Sequence, residues 1–337
     1  MSSATAVIIL NWNGVEQLRS FLPSVVEHTR DVDIIVADNA STDNSVTWLK
    51  QNYPEIKVIE LSINHGYAGG YNEAIKQVEH DYLVLLNSDV EVTKNWLNPL
   101  IELIKKDLTI AVCQPKIRSQ RQKDLFEYAG AAGGFIDKYG IPYCRGRIFT
   151  NVEKDTNQYN DDAELFWASG ACLVIRNTVF KQANGFDSDF FAHMEEIDLC
   201  WRIHRMGYKI SYCPGSTVYH VGAATLKKES PKKTYLNFRN SLWMLHKNLP
   251  ANILFPILFA RLCMDGAAGV HYLVKGKWKH TIAIIQAHAA FYFKGDKTNK
   301  RNALKQYPDY YKNQNTILNR SIIIEFYFKG KKIFSRI

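Results

Sequence analysis

Short runs of aliphatic and β-branched residues recur in the first part of the chain, at 6–10, 33–37, 57–61 and 82–86, and each ends in a polar or glycine-bearing turn. Segments of helical length alternate with them, at 14–28, 45–53, 71–78 and 95–107, the second opening after an Asp/Asn/Ser cluster suited to capping. That order predicts an α/β fold of parallel strands joined by right-handed crossovers. Ligands of open α/β sheets sit at the carboxyl ends of the strands, so the turns after the four runs are the first places to seek a site. From 119 to 162 the pattern loosens, with AGAAGG at 129–134 and a polar, acidic stretch at 151–162, and it reads as surface loops. A second ordered block covers 165–220. After a basic spacer at 227–233 the chain turns aromatic, aliphatic and cationic, which puts a domain boundary near Tyr235.

Charge sharpens that boundary. The chain of 337 residues has a net charge of +9, but residues 1–235 carry 25 Lys/Arg against 29 Asp/Glu, whereas residues 236–337 carry 17 against 4. The basicity belongs to the last third, where it points to an anionic partner. The six cysteines form no CxxC pair, which argues against a zinc site or a disulfide framework and for a reducing compartment. The first residues lack the basic segment of a secretory signal, so a cytoplasmic location is expected.

The turns hold the candidate chemistry. The first offers Asn11 and Asn13, and the second Asp38 and Asn39. A carboxylate at a strand end can accept from a base imide or a ribose hydroxyl, while the same DNAST segment also reads as an Asx-rich turn capping a helix. The third turn, with Gly66, Gly69 and Asn72, lets backbone approach a nucleotide or simply satisfies turn geometry. It matches neither GxxxxGK[ST] nor GxGxxG. The fourth delivers Asn87, Ser88 and Asp89, and an acid there suits Mg²⁺ or Mn²⁺, hard ions that prefer oxygen.

Taken together, VIILNWNG, VADNASTDNS, NHGYAGGYNEAI and LLNSDVEV resemble glycosyltransferase family 2 in order and spacing, and its bacterial rhamnosyltransferase-like members most of all. The resemblance covers residues 5 to 225. It implies a GT-A type, mostly parallel nucleotide-sugar-binding sheet flanked by helices, with a donor bound at Asn11, Asn13, Asp38, Asn39, Gly66, Gly69, Asn72, Asn87 and Ser88. Asn87-Ser88-Asp89 stands where the family has DxD, so one acid is missing. Trp167 and Gly170, and the segment 185–191, resemble the family's acceptor side. In HMEEIDLCWR, the family's catalytic base falls on Glu196, with Glu195 as the alternative. Inverting transfer needs one carboxylate to take the acceptor's proton and a cation beside the leaving diphosphate.

Glu195, Glu196 and Asp198 also suit the positive end of a helix, and Asp198 can pair with Arg202 on the same face, worth about 0.3–0.5 kcal/mol if exposed. A lone histidine is more often structural than a ligand. In related transferases a histidine after the corresponding strand joins the metal site, which implies His220 beside Asp89.

Residues 251–274 are apolar but interrupted by Pro256, Arg261, Asp265 and His271, leaving about half of the roughly 20 residues a bilayer crossing needs. With Lys275, Lys277 and Lys279 next, and 322–328 followed by Lys329, Lys331 and Lys332, the tail reads as basic amphipathic helices lying on an anionic membrane, or as a helical subdomain with solvated lysines. No RNA or DNA module accompanies the basic residues, which excludes nucleic acid as the expected partner. The expectation is an inverting, metal-dependent transferase using a UDP- or dTDP-sugar and a lipid-linked glycan at the inner face of the cytoplasmic membrane. A sugar nucleotidyltransferase and a catalytically inactive assembly factor are the alternatives.

Overall fold

The computed structural model describes residues 4–222, 230–293 and 315–337. Positions 227–229 of the basic spacer and the cationic stretch at 294–314 lie outside the described residues.

The first strands are β1 (Thr5–Asn11), β2 (Asp33–Asp38), β3 (Lys57–Glu60), β4 (Tyr82–Asn87), β5 (Val90–Val92) and β6 (Ile110–Ser119). The short strands β7 (Gly134–Asp137), β8 (Pro142–Cys144), β9 (Arg147–Ile148) and β10 (Asn151–Val152) follow. The chain then forms β11 (Ala163–Leu165), β12 (Cys172–Arg176) and β13 (Lys209–His220), and ends with β14 (Ile317–Leu318). The helices are α1 (Val15–His28), α2 (Ser45–Asn52), α3 (Gly66–Ile75), α4 (Asn98–Lys106), α5 (Asn177–Gln182), α6 (Glu195–Arg205), α7 (Pro231–Asn248), α8 (Ala251–Val274) and α9 (Trp278–Phe293).

The central sheet runs β11-β13-β6-β12-β4-β1-β2-β3, with β5 paired to β13. It is parallel along β4-β1-β2-β3, as the alternating pattern predicts. Beyond β4 it is mixed, because β12 runs antiparallel to both β4 and β6. Apolar residues on opposite faces of these strands feed two cores. Ile8, Ile35 and Leu85 point into one, and Val7, Val36 and Val84 into the other.

The stretch 119–162 is not a run of surface loops. Its strands of two to four residues are too short to show a period, yet they build a second sheet, β10-β9-β8-β7-β14, over buried Phe135, Tyr143 and Ile148. The last strand of that sheet comes from the C-terminal third, with Ile317 paired parallel to Ile136. Phe334 then packs between Phe135, Tyr143 and Tyr159. Tyr235, the expected boundary, falls inside α7, and α7 packs on α6.

The third helix begins earlier than expected, at Gly66 rather than Tyr71. The N–H groups of Tyr67 and Ala68, left without helical partners, donate to the carbonyl of Phe191 at 2.8 and 3.4 Å. Gly66, at φ +70°, lies so close to Phe191 that a side chain would collide with it.

Candidate active site

At the ends of β1 and β2, Asn11 Nδ2 donates to Asp38 Oδ1 at 2.9 Å, and the Ser41 amide donates to Asp38 Oδ2 at 2.9 Å. Asn13 Oδ1 accepts from the Thr42 amide at 2.7 Å, and Asp43 accepts from the Val15 and Ser45 amides. The Asx-turn reading of this segment therefore holds in the fold. Asn39 ties the next turn down, donating to Asn64 and the Gly66 carbonyl and accepting from the His65 amide. Gly66 and Gly69 lie in the first turn of α3 facing Phe191 and His65, and Asn72 clamps the backbone of Phe186 at both N–H and C=O. Gly66 and Asn72 thereby support the loop at 186–191.

The turn between β4 and β5 carries half-buried Asn87 and Ser88 and buried Asp89. Antiparallel pairing of β5 with β13 sets His220 opposite Val90, and this register brings His220 Nε2 to 3.1 Å from Asp89 Oδ1. Asn87 Nδ2 is 3.5 Å from the same nitrogen. On the other side of the ring, Glu127 Oε1 stands 3.4 Å from His220 Nδ1. Glu127 arrives there because the chain doubles back beside β6, its amide bonding the Ile117 carbonyl, and its second oxygen accepts from the Ala129 amide. All three groups are buried. Burial by itself would lower the imidazole pKa, but the Asp89 and Glu127 charges outweigh it and push the group up to about 10. Burial works to raise Asp89 and His220 outweighs it, holding that carboxylate below its ordinary range.

His220 Nε2 and Asp89 Oδ1 form an ion pair at 3.1 Å, and the same two atoms are close enough to share one cation once the imidazole has given up its proton. Glu127 faces the opposite nitrogen, where a carboxylate fixes the tautomer of a ligating imidazole. Among the described residues no group of three or more His, Cys, Asp or Glu side chains is arranged around a common point. A hard ion here thus needs further oxygens from a phosphorylated substrate and water, the usual manner of Mg²⁺.

The second acidic centre opens α6. Glu195 is buried, Glu196 is half-buried, and Oε2 of each lacks a hydrogen-bond partner. Burial pushes both carboxyls up, Glu195 further because it also faces Glu196, while Glu196 reaches about 7. Such a pair shares its titration and holds a proton near neutral pH. Just before it, Phe191, His193 and Met194 take φ of 63, 71 and 71°, a region non-glycine residues rarely occupy. Asn240 of α7 holds this backbone in place, its Nδ2 donating to the carbonyls of Phe190, Ala192 and His193 at 2.9, 2.9 and 2.7 Å.

A short path joins the two centres. The Asn87 amide donates to the Ala171 carbonyl at 3.0 Å, and Tyr67 hydroxyl donates to the Gly170 carbonyl at 2.7 Å. Gly170 has no room for a side chain under that hydroxyl. The Tyr67 pKa is raised by burial first, then by Tyr71, Glu195 and Glu196, so this phenol sits within electrostatic reach of the acid pair. Buried Cys144 feels both Glu127 and Glu196.

The other expected acceptor-side residues face inward. Trp167 is buried, its Nε1 donating to the Phe135 carbonyl at 3.0 Å and its ring covering Gly134. Asp198 and Arg202 are not an exposed pair. Asp198 is fully buried and accepts from Arg202 at 2.9 Å, Lys247 at 2.8 Å and Asn248 at 2.8 Å. Arg202 also donates to the carbonyls of Ala183 and Gly185. These residues fix α6 against α7 and so position the acid pair. Glu127, Asn240 and Lys247 carry no local sequence signal, and nothing within NHGYAGGYNEAI singles out Tyr67. Only the position of Glu127 beside the glycine-rich AGAAGG segment could have drawn notice.

Residues 6–183 match the family described as Glycosyl transferase family 2. The chain is 26% identical over 239 residues to the N-acetylglucosaminyl-diphospho-decaprenol L-rhamnosyltransferase of Mycobacterium tuberculosis, covering 65% of this chain and 76% of that protein. It is 22% identical to rhamnosyltransferase WbbL of Escherichia coli, covering 64% of this chain and 82% of the relative. Among solved structures, TarS of S. aureus in complex with UDP-GlcNAc aligns with a TM-score of 0.56 at 16% identity, over 85% of this chain and 80% of that one. GalNAc-T7 with UDP, GalNAc and Mn²⁺ aligns with a TM-score of 0.58 at 18% identity, over 73% and 48%. With more than half of its length matched, the chain belongs to glycosyltransferase family 2 and is similar to its bacterial rhamnosyltransferases.

Proposed function

We propose that this glycosyltransferase moves a hexose or 6-deoxyhexose from a UDP- or dTDP-linked donor to a hydroxyl of a lipid-linked glycan, with inversion, at the cytoplasmic face of the membrane. The observation that carries this reading is the Glu195/Glu196 pair, whose raised pKa values suit proton transfer near neutral pH and whose buried Oε2 atoms lack partners. The acceptor oxygen forms its bond to the anomeric carbon as the bond from that carbon to the diphosphate oxygen breaks, and the hydroxyl proton passes to Glu196. Glu195, deeper and more strongly raised, stays neutral and keeps a second negative charge out of the pair. Tyr67, within electrostatic reach of this pair, donates to the Gly170 carbonyl, and the next carbonyl, of Ala171, accepts from the Asn87 amide of the turn that carries Asp89.

Asp89 and His220 are the residues that would hold Mg²⁺ or Mn²⁺, with Glu127 orienting the imidazole. A divalent ion bound there stabilises the negative charge of the departing diphosphate. Asn11, Asp38 and the amides of the second turn would face the nucleoside, though the Asp38 oxygens already accept from within the fold. The acceptor class is supported by the name of the mycobacterial relative, a transferase acting on a polyprenyl-diphosphate-linked sugar.

The test is transfer from UDP- and dTDP-sugars, with Mn²⁺, to a polyprenyl-diphosphate-linked N-acetylglucosamine. The product's anomeric configuration is read by NMR. A product of inverted configuration that vanishes in Glu196→Gln, with nucleotide binding kept, supports the proposal. Retention of configuration, or full activity in both Glu196→Gln and Glu195→Gln, rejects it.

A further inference from the structure

Helices α8 and α9 form a hairpin about a turn at Gly276, and its two sides differ completely. Inward, Arg261 pairs with Asp265 at 3.3 Å and donates to Ser241 Oγ at 2.7 Å, and His288 Nε2 lies 3.1 Å from the other Asp265 oxygen. Outward, Phe255, Phe259 and Val270 of α8 and Trp278, Ile282 and Ile285 of α9 are exposed at helical spacing. The charges that interrupt the apolar pattern in the sequence are therefore withdrawn from the outer face. Asp265 is the one acid within 251–293 and it is buried, while Lys275 and Lys279 are exposed at the turn.

By length and composition α8 could cross a bilayer, and most of its apolar side chains are exposed. Its packing directs it otherwise. Arg261, in the middle of the helix, donates to the Tyr139 carbonyl at 3.3 Å beside the second sheet, so α8 lies along the catalytic body and cannot leave it to span hydrocarbon. An apolar patch of this extent on a folded chain marks a docking surface.

We propose that the outer face of the α8–α9 hairpin seats in the plane of an anionic bilayer, its aromatic and aliphatic stripe among the acyl chains and Lys275 and Lys279 among the headgroups. Charge complementarity decides the occupant. A second copy of the chain would bring the same acid-free, lysine-bearing face against itself, whereas anionic headgroups neutralise it. The seat is coupled to the site, because α9 packs on α7, with the His246 and Phe291 rings 6.1 Å apart, and Asn240 of α7 holds the loop that precedes Glu195. Docking thus sets the acid pair at a fixed height over the membrane. That consequence rests on the proposed function, and the docking itself does not.

The experiment is flotation of the full chain with phosphatidylcholine vesicles, alone and with about 30 mol% phosphatidylglycerol. The chain is expected to float with the anionic vesicles, less so in high salt, and to be released by alkaline carbonate. Phe259→Glu combined with Ile285→Glu should cut the bound fraction about tenfold. The same variant should keep its circular dichroism spectrum and its affinity for nucleoside diphosphate, which separates loss of docking from loss of fold or of the donor site. The proposal is overturned if the wild type ignores anionic vesicles, if the double variant floats as well as wild type, if carbonate fails to extract the chain, or if the wild type is a dimer that the variant converts to a monomer without vesicle binding having existed.

Discussion

Lys247 donates to Asp198 at 2.8 Å, so a residue of the basic C-terminal third neutralises an acid three positions beyond Glu195. Lys247 also reaches Asp187 at 3.0 Å and thereby ties both ends of the segment that presents the acid pair. Burial works to raise the Asp198 pKa, and Lys247 and Arg202 outweigh it and hold the group down. A depressed carboxylate contributes stability above its unfolded pKa of about 3.9 and loses it as pH falls through the folded value. Asp198→Ala leaves Arg202 and Lys247 buried without their shared partner and is expected to cost about 3–5 kcal/mol in urea unfolding at pH 7. The difference from wild type should shrink in acid below pH ~4. An equal difference at both pH values would contradict the ionic account.

The acid pair works in the opposite sense. A carboxyl raised in the folded state binds more protons there than in the unfolded chain, so stability is fullest at low pH and declines as pH rises through the folded pKa. Glu195→Gln should therefore raise Tm, by more at pH 8 than at pH 5. Glu196→Gln should do the same while lowering kcat by about a hundredfold or more. In the wild type, kcat/KM should rise as pH increases through about 7, where Glu196 titrates. Calorimetric melting and steady-state kinetics check both, and a Tm lowered by either substitution at pH 8 would refute the burial argument.

Asp89→Ala is expected to weaken Mn²⁺-dependent binding of nucleoside diphosphate strongly, and His220→Ala less so, because Asp89 brings a negative charge to the ion whereas the His220 imidazolium must first give up its proton to ligate it. Titration calorimetry with and without Mn²⁺ measures this. Unchanged affinity in both variants removes the metal from the Asp89–His220 corner.

Glu127→Gln keeps size and hydrogen bonding but removes the charge behind the His220 ring. An orienting carboxylate of this kind is worth roughly 10–100-fold in metal affinity. The expected loss is read from Mn²⁺ electron paramagnetic resonance without turnover. A fall in transfer rate with Mn²⁺ affinity intact would place Glu127 in some other role.

Asn240→Ala withdraws the donor shared by three carbonyls of the strained loop. The loop should relax and move Glu196, lowering kcat tenfold or more while nucleotide affinity holds, because Asn11 and Asp38 lie at the ends of β1 and β2 and bond each other instead of this loop. Parallel loss of kcat and nucleotide affinity would point to general unfolding instead.

Much of the N-terminal half was legible in the chain. The runs at 6–10, 33–37, 57–61 and 82–86 became β1 to β4 within a residue or two, since a buried parallel strand writes a continuous apolar run into the sequence. The glycine-rich segment was harder to read. Its glycines sit inside α3, where the Phe191 carbonyl receives the first N–H groups, and nothing in residues 64–75 reports a contact so distant in sequence. Trp167 shows the same limit, since its local motif cannot reveal that the indole seals the second sheet at Gly134.

The sequence by itself determined the alternation of strands and helices, the turns that deliver Asp38 and Asp89, the acid pair at the start of a helix and the concentration of positive charge in the last third, because pleat, helical period and capping are written within a few residues of one another. Only the tertiary structure decided that β5 pairs with β13 and so joins Asp89 to His220, that Glu127 stands behind that ring, and that α7 fixes the loop ahead of Glu195. It also decided that Arg261 and Asp265 turn inward and leave the hairpin's outer face apolar. Each of these is a meeting of groups far apart in the chain, set by how sheets and helices pack, and packing depends on every surface in the interior at once.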